Sequence, residues 1–363
     1  MKRATENLPV KPYISKRQRL KNQEDNRQQP TLQQQDDTIS TTNPVADHIP
    51  RHCIPKNILD KQKEHSKAVT SLNWNPKVSH ILASTSLDSQ IILWSVSKKS
   101  LSVTNKLATH ELAVKDCKWN LNGKHLLTGS FDKSAKVTDV QSGAIINSFK
   151  HKDLVTSVLY HPERDDIFLS GTLRSGVFAW DTRLGKIIRE YFSSSGQTQD
   201  LLFLPNNSTF LVSSECLNRN SMDKAIQAWD FDTGAVLSNQ IYQEPHTCSS
   251  LRLHCDGQVF LAQSSGGYIA KFLTERPYKM NKYQRFEGYE SAGYNIKLDI
   301  SKDGRHVLCG DNAGRLSIFD FYSTKLLHSL DPFSSACMDV ACHPSHSSQT
   351  VCASWDGEIA ILE

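Results

Sequence analysis

His65-Ser-Lys-Ala-Val69, Leu82-Ala-Ser-Thr-Ser-Leu-Asp88 and Ile91-Ile-Leu-Trp94 form one series, and the chain repeats it within fifty residues. The second copy is His110-Glu-Leu-Ala-Val114, then Leu126-Leu-Thr128, Asp132 and Ala135-Lys-Val-Thr138-Asp139. The register continues to the C-terminus through Trp180-Asp181, Trp229-Asp230, Phe272, Phe319-Asp320 and Leu362. Seven anchors result, at 94, 138, 180, 229, 272, 319 and 362, spaced by 44, 42, 49, 43, 47 and 43 residues. A period of this length marks a supersecondary unit that buries its apolar faces only by stacking on copies of itself. Within each unit the pattern predicts short strands, in the first over 69–74, 80–84 and 91–95. The turn pairs Asn75-Pro76, Asn122-Gly123, Asp256-Gly257 and Asp303-Gly304 separate such strands. Many of the strands are apolar on both faces, as expected of sheets stacked face to face.

The recurring His, Asp and Trp-Asp marks resemble those of the WD40 β-propeller family, over about 300 residues. The resemblance implies an all-β, seven-bladed WD40 propeller. It also implies a hydrogen-bonded chain in each intact blade, running from Asp through His to a hydroxyl and then to Trp. The matching residues are His65, Ser84, Asp88 and Trp94 in blade 1, and His110, Thr128 and Asp132 in blade 2. Thr138 stands where the second Trp is expected. Arg174, Gly266 and Ala313 stand at the Asp position of blades 3, 5 and 6, and blade 4 is read as keeping Asp223 after a longer loop. Residue 363 follows directly on a third-strand pattern. A segment within 51–62 is therefore expected to supply the outer strand of the last blade, leaving no open sheet edge.

In such propellers the residue preceding the blade Asp lies on the rim of the top face. Here that series reads Leu87, Phe131, Leu173, Met222, Ser265, Asn312 and Trp355. It is mostly apolar, and Trp355 lies in the turn Ser354-Trp-Asp-Gly357. Aromatic and apolar anchors around an opening are the composition of a protein-docking face. Leu87, Phe131, Leu173, Arg174, Met222 and Trp355 are the candidate partner-binding residues.

The rest of the composition narrows the function. The chain has 363 residues with a formal net charge of +4, too near neutrality for a protein that coats nucleic acid. Residues 1–50 hold no Trp, Phe or Gly and seven Gln, and are expected to be a disordered tail ahead of a propeller over 51–363. Lys16, Arg17, Arg19 and Lys21 form a basic cluster there, which fits a nuclear import signal, an electrostatic contact with RNA, or a solvated charge run. The start of the chain has no signal-peptide pattern, and no stretch is apolar enough for a membrane-spanning helix. Nine cysteines without a CxxC pair suit free thiols in a reducing compartment. His246, Cys248, His254 and Cys255 fall on a turn and a strand whose alternation keeps four ligands from converging, so no metal is expected. P-loop, GxGxxG, HExxH and GxSxG motifs are absent. The expectation is a protein without catalytic residues or cofactor.

A narrower resemblance rests on His65-Ser-Lys-Ala-Val-Thr-Ser-Leu-Asn-Trp-Asn-Pro76, on Tyr278-Lys-Met-Asn-Lys-Tyr-Gln-Arg-Phe-Glu-Gly288 and on Ser291-Ala-Gly-Tyr294. These stretches are similar to the WD40 branch that includes pre-mRNA-processing factor 17 and WD repeat-containing protein 25. The resemblance implies a nuclear scaffold with spliceosomal protein partners, monomeric within a larger complex. A ubiquitin-ligase substrate receptor and a direct RNA-binding propeller are the competing readings.

Overall fold

In the computed structural model, residues 54–192, 196–215, 225–291 and 293–363 are described. They form twenty-eight strands in seven four-stranded antiparallel sheets. Blade 1 is Val69–Trp74, Ile81–Ser86, Ile91–Val96 and Leu101–Leu107, counted from the innermost strand outward. Its second and third strands run slightly past the limits read from the sequence. The inner strand of each blade touches the inner strands of the blades before and after it, and blade 7 touches blade 1, so the sheets form a closed ring. The chain is a seven-bladed β-propeller.

Closure is made by strand exchange. The three C-terminal strands of blade 7, Cys337–Cys342, Thr350–Ser354 and Glu358–Leu362, are completed on the outside by Ile58–Lys63 from the start of the domain. Lys63 pairs with Glu358 and Asp60 with Ile361, and the N–H groups of Lys56 and Asn57 both donate to the carbonyl of Glu363.

The seven sequence anchors share one position in this architecture. Each lies on the third strand and pairs with a second-strand residue: Leu82, Leu126, Phe168, Phe210, Phe260, Val307 and Thr350 in order. These partners precede the anchors by twelve residues everywhere but in blade 4, where Phe210 and Trp229 are nineteen apart. The apolar side chains on both sheet faces interleave between adjacent blades. One cluster joins Leu72, Leu82 and Trp94 of blade 1 to Val351, Ala353 and Ile361 of blade 7, and another joins Leu169 and Ala179 of blade 3 to Leu201, Phe210 and Trp229 of blade 4. Burial of these faces supplies the main driving force for ring formation.

Polar seams set the angle between blades. Thr70 Oγ1 donates to Val114 O (2.7 Å), Thr156 Oγ1 to Thr198 O (2.7 Å) and Ser249 Oγ to Ile296 O (2.6 Å), joining blades 1–2, 3–4 and 5–6. The intervening seams use carboxylates. Asp116 Oδ2 accepts from Val158 N–H (3.2 Å) and Asp200 Oδ2 from Leu251 N–H (2.8 Å), joining blades 2–3 and 4–5. Seven is odd, so the alternation cannot run round the ring unbroken. Two carboxylate seams therefore adjoin: Asp299 accepts from Cys342 N–H (2.8 Å) at 6–7, and Asp339 from Leu72 N–H (2.7 Å) at 7–1.

Candidate partner-binding face and its supports

Blade 1 holds a hydrogen-bonded chain of four side chains. His65 Nδ1 lies 3.1 Å from Asp88 Oδ2, His65 Nε2 lies 2.8 Å from Ser84 Oγ, and the Trp94 indole N–H donates to the same Oγ at 2.8 Å. His65, Ser84 and Trp94 are buried. Burial alone would raise the Asp88 pKa, but hydrogen bonds from His65 and from the N–H groups of Gln90 and Ser66 bring it down to about 2. Blade 2 repeats the arrangement up to the hydroxyl, with His110 Nδ1 2.7 Å from Asp132 and Nε2 2.8 Å from Thr128 Oγ1. The chain ends there. Thr138, at the Trp position, is fully buried, and its hydroxyl has no partner among the described residues.

Blade 3 carries a variant the sequence reading missed. His151 Nε2 meets Ser170 Oγ at 2.8 Å, and Trp180 donates to that oxygen at 2.9 Å. Arg174 stands where a carboxylate would be, and His151 Nδ1 turns instead to the carbonyl of its near neighbour Phe149 (3.0 Å). Burial without a carboxylate lowers the His151 pKa to about 4, so the imidazole is neutral at physiological pH and its Nδ1–H donates to that carbonyl. In blades 4 to 7 the hydroxyl position is occupied by Val212, Ala262, Cys309 and Cys352. The Trp229 indole N–H, which would have reached a hydroxyl at 212, has no partner among the described residues.

A shared backbone bond locates the rim. Leu87, Phe131, Leu173, Ser265 and Trp355 donate their N–H groups to Ala68, Ala113, Leu154, Thr247 and Ala336, each on the segment leading into the inner strand of the same blade. Asn312 donates likewise to Glu290. In blade 4 this bond is made by Glu215, to Gln197 O. This corrects the sequence reading, which placed Met222 there. Counting back from Trp229 stops seven residues short of that position because seven extra residues separate the second and third strands. Met222 and Asp223 themselves lie outside the described residues, as do Lys16, Arg17, Arg19 and Lys21. The rim thus holds an exposed carboxylate in blade 4, with four apolar residues of seven.

Within that rim Trp355 is the large apolar side chain left most open, at 42% exposure, whereas Leu87, Phe131 and Leu173 are half-buried. Arg174 is exposed. The Trp355 ring packs edge-on against Tyr294 (centroids 5.2 Å apart, 72° between planes), a contact the sequence reading did not foresee. The turn beneath is pinned to the next blade. Gly357 has φ 85°, and a Cβ there would run into the carbonyl of His65. The conformation that presents Trp355 is therefore fixed by the same turn that holds the first histidine network.

Below the rim, ionic side chains fill the centre of the ring. Bulges in the inner strands of six blades put Ser71, Asp116, Ser157, Asp200, Ser250 and Asp339 at equivalent positions. In blade 6 Lys297, just before the inner strand, takes that place by its register to Leu298. Asp116 Oδ1 accepts from Ser71 Oγ (2.9 Å) and pairs with Lys297 Nζ (3.2 Å). Arg252 lies 3.4 Å from Asp200 and 3.7 Å from Asp299. Burial would raise the Asp116 pKa, but Lys118, Lys297 and the Val158 N–H hold it well below the usual carboxylate range. For Asp339 burial wins and the pKa is raised. Among the described residues no cluster of His, Cys, Asp and Glu is arranged to hold a metal. His254 instead stacks on Phe321 (3.9 Å) with Nε2 2.8 Å from Gly304 O, and Cys255 is exposed.

Ring, blade networks and strand exchange define the class: the chain is a seven-bladed β-propeller that carries WD40 repeats. The family model for the WD domain, G-beta repeat, matches residues 56–95 and 101–139; the first range holds the outer strand of blade 7 and three strands of blade 1, and the second holds the outer strand of blade 1 and three strands of blade 2. Over 310 residues, 85% of the chain, it is 36% identical to WD repeat-containing protein 25 of Mus musculus. It is 27% identical over 317 residues to pre-mRNA-processing factor 17 of Homo sapiens, and 25% identical over 314 to that of Saccharomyces cerevisiae. The chain spans 58% of the length of the first of these relatives and 53% of the second.

Proposed function

We propose that this protein is a non-catalytic scaffold of pre-mRNA processing, working in the nucleus as a rigid propeller that docks protein partners on its top rim. The reading is carried by a likeness to pre-mRNA-processing factor 17 that runs over 86% of the chain rather than over one repeat. The rim offers the means. Trp355, braced by Tyr294 and held on a turn without conformational slack, is a large anchor whose burial costs little ordering entropy. Phe131, Leu173 and Leu87 extend an apolar arc from it, and Arg174 and Glu215 supply charges for orientation. The polar groups at the centre of the ring pair with one another, which suits a framework rather than a reaction site.

The test is purification of the tagged full chain from nuclear extract, with mass spectrometry of what it retains. Spliceosomal proteins retained by the wild type and lost with Trp355→Ala support the reading. Retention of ubiquitin-ligase subunits in their place, or a partner set unchanged by Trp355→Ala, overturns it.

A further inference from the structure

The outer strand of blade 5 departs from its counterparts. In blades 1, 2, 3, 4 and 6 the ladder between third and outer strands skips one residue beside the anchor, as where Leu93 pairs with Asn105 but Trp94 with Val103. In blade 5 it skips three. Ala270 pairs with Arg285 and Lys271 with Asn281, and Lys282-Tyr283-Gln284 is looped out of Met280–Glu287. The two added residues leave the sheet faces in register and serve only to push this loop into solvent. Asn281 stiffens it: its Oδ1 accepts from Tyr283 N–H (3.1 Å) and its Nδ2 donates to Gln284 Oε1 (3.2 Å). Tyr283 is 98% exposed.

The surroundings are basic and concave. Arg276, Lys279 and Lys282 are exposed, and none has an acidic partner among the described residues. Beside the loop runs a groove of about 1030 Å³ toward blade 4, with Ile241, Tyr278 and Met280 among its apolar walls and Gln240, Gln243 and Asn281 among its amides. Its acid, Glu244, is already engaged by Arg285 and Tyr268. An exposed ring on a stiffened loop, unpaired cations on either side and amides along a groove are the elements that bind a strand by stacking and phosphate attraction. We infer that this loop and groove bind single-stranded nucleic acid, with a base stacked on Tyr283 and phosphates on Lys279 and Lys282. The inference does not depend on the splicing assignment.

The full chain is titrated against fluorescein-labelled U12 and dT12, read by anisotropy from 50 to 200 mM salt. Tyr283→Ala is expected to weaken binding about tenfold, the stacking contribution of one base. Lys279→Gln with Lys282→Gln is expected to lower the slope of log affinity against log salt by about 1.4. Preference between the two oligonucleotides assigns the site to RNA or DNA. The variant with Lys16, Arg17, Arg19 and Lys21 all changed to Gln separates the N-terminal cluster, and the Tyr283 effect is expected to persist in it. Unchanged melting temperatures are expected because the altered side chains are exposed. No binding of either oligonucleotide, equal binding by Tyr283→Ala, or an affinity that disappears with the N-terminal cluster alone would overturn the inference. So would an acidic peptide displacing the oligonucleotide at lower concentration than unlabelled U12.

Discussion

Lys297 of blade 6 reaches Asp116 of blade 2, Nζ to Oδ1 at 3.2 Å, joining two blades that are not neighbours in the ring. Asp116 also accepts from the backbone of blade 3 and from Ser71 of blade 1, so one carboxylate ties together four of the seven blades. Lys297 is held protonated despite its burial, because Asp116, Asp339 and Asp200 raise its pKa against the cost of desolvation. Removing one member of a buried pair strands the other, which typically costs about 3–5 kcal/mol. Lys297→Met is therefore expected to lower the unfolding free energy in urea by about that much. The double variant with Asp116→Asn should cost less than the sum of the single changes, and strict additivity would show that the pair is not coupled.

How much of this was visible in the residues depends on the range of the interaction. The anchors from Trp94 to Leu362 were legible because each blade repeats the same local strand pattern, and seven repeats imply a ring. The blade 1 network residues could be named because its motif is complete. His151 was overlooked because its carboxylate partner is missing, and a lone His before a strand has no signature. The rim of blade 4 was misassigned because a loop insertion breaks counting by period. Lys297, the alternating Thr and Asp seams and the blade 5 loop were beyond reach for another reason. Their meaning lies in which strands become neighbours after the ring closes, and chain separation carries no record of that.

Blade 4 offers a test of the network argument that runs against the usual rule for cores. Val212 occupies the position at which Ser84 and Ser170 accept from an indole, and the Trp229 N–H is consequently buried without a partner among the described residues. Val212→Thr restores an oxygen there with little change in volume. It is expected to be neutral or to stabilise by up to about 1 kcal/mol, whereas Val307→Thr, on the same strand of blade 6 but with no indole to satisfy, should cost about 1–3 kcal/mol. Urea midpoints of the two variants, measured side by side, decide the matter. A comparable loss at both sites would mean that the Trp229 N–H is satisfied in some other way.

Thr138 is the converse case. Its hydroxyl is fully buried at the Trp position of blade 2 with no partner among the described residues. Thr138→Val removes a desolvated polar atom and keeps the β-branched shape that the strand favours. A rise in stability of about 1 kcal/mol is expected, read as a higher midpoint at unchanged m-value. A fall would reveal a hydrogen bond to an ordered water.

Acid sensitivity should begin with histidines rather than carboxylates. Burial lowers the pKa of both His151 and His343 to about 4, from an ordinary value near 6.5. A depressed histidine pKa means that the unfolded chain takes up the proton first. The stabilisation is complete above pH 6.5 and is lost as the pH falls from there towards 4. For His151 this is about 2 kcal/mol between pH 7 and pH 5. Asp88, held at about 2, adds its own loss only below the ordinary carboxylate value near 4. Wild-type stability is thus expected to decline by pH 5, and His151→Gln, less stable at pH 7, should show a flatter profile over that interval. Parallel profiles for the two proteins would place the acid sensitivity elsewhere.

The rim makes a prediction separable from stability. Trp355 is partly exposed, and its edge-on contact with Tyr294 is a surface interaction. Trp355→Ala should therefore shift the melting temperature by only a few degrees, in line with an aromatic pair worth about 0.5–1.5 kcal/mol. Partner capture should fall far more, since truncating a central aromatic anchor typically costs 2 kcal/mol or more, about thirtyfold in affinity. Tyr294→Ala tests the bracing role. It leaves the Trp355 ring in place but frees it to reorient, so its effect on capture should be smaller than that of Trp355→Ala and should vanish in the Trp355→Ala background. Additive losses from the two substitutions would mean that Tyr294 contacts the partner directly rather than positioning the tryptophan.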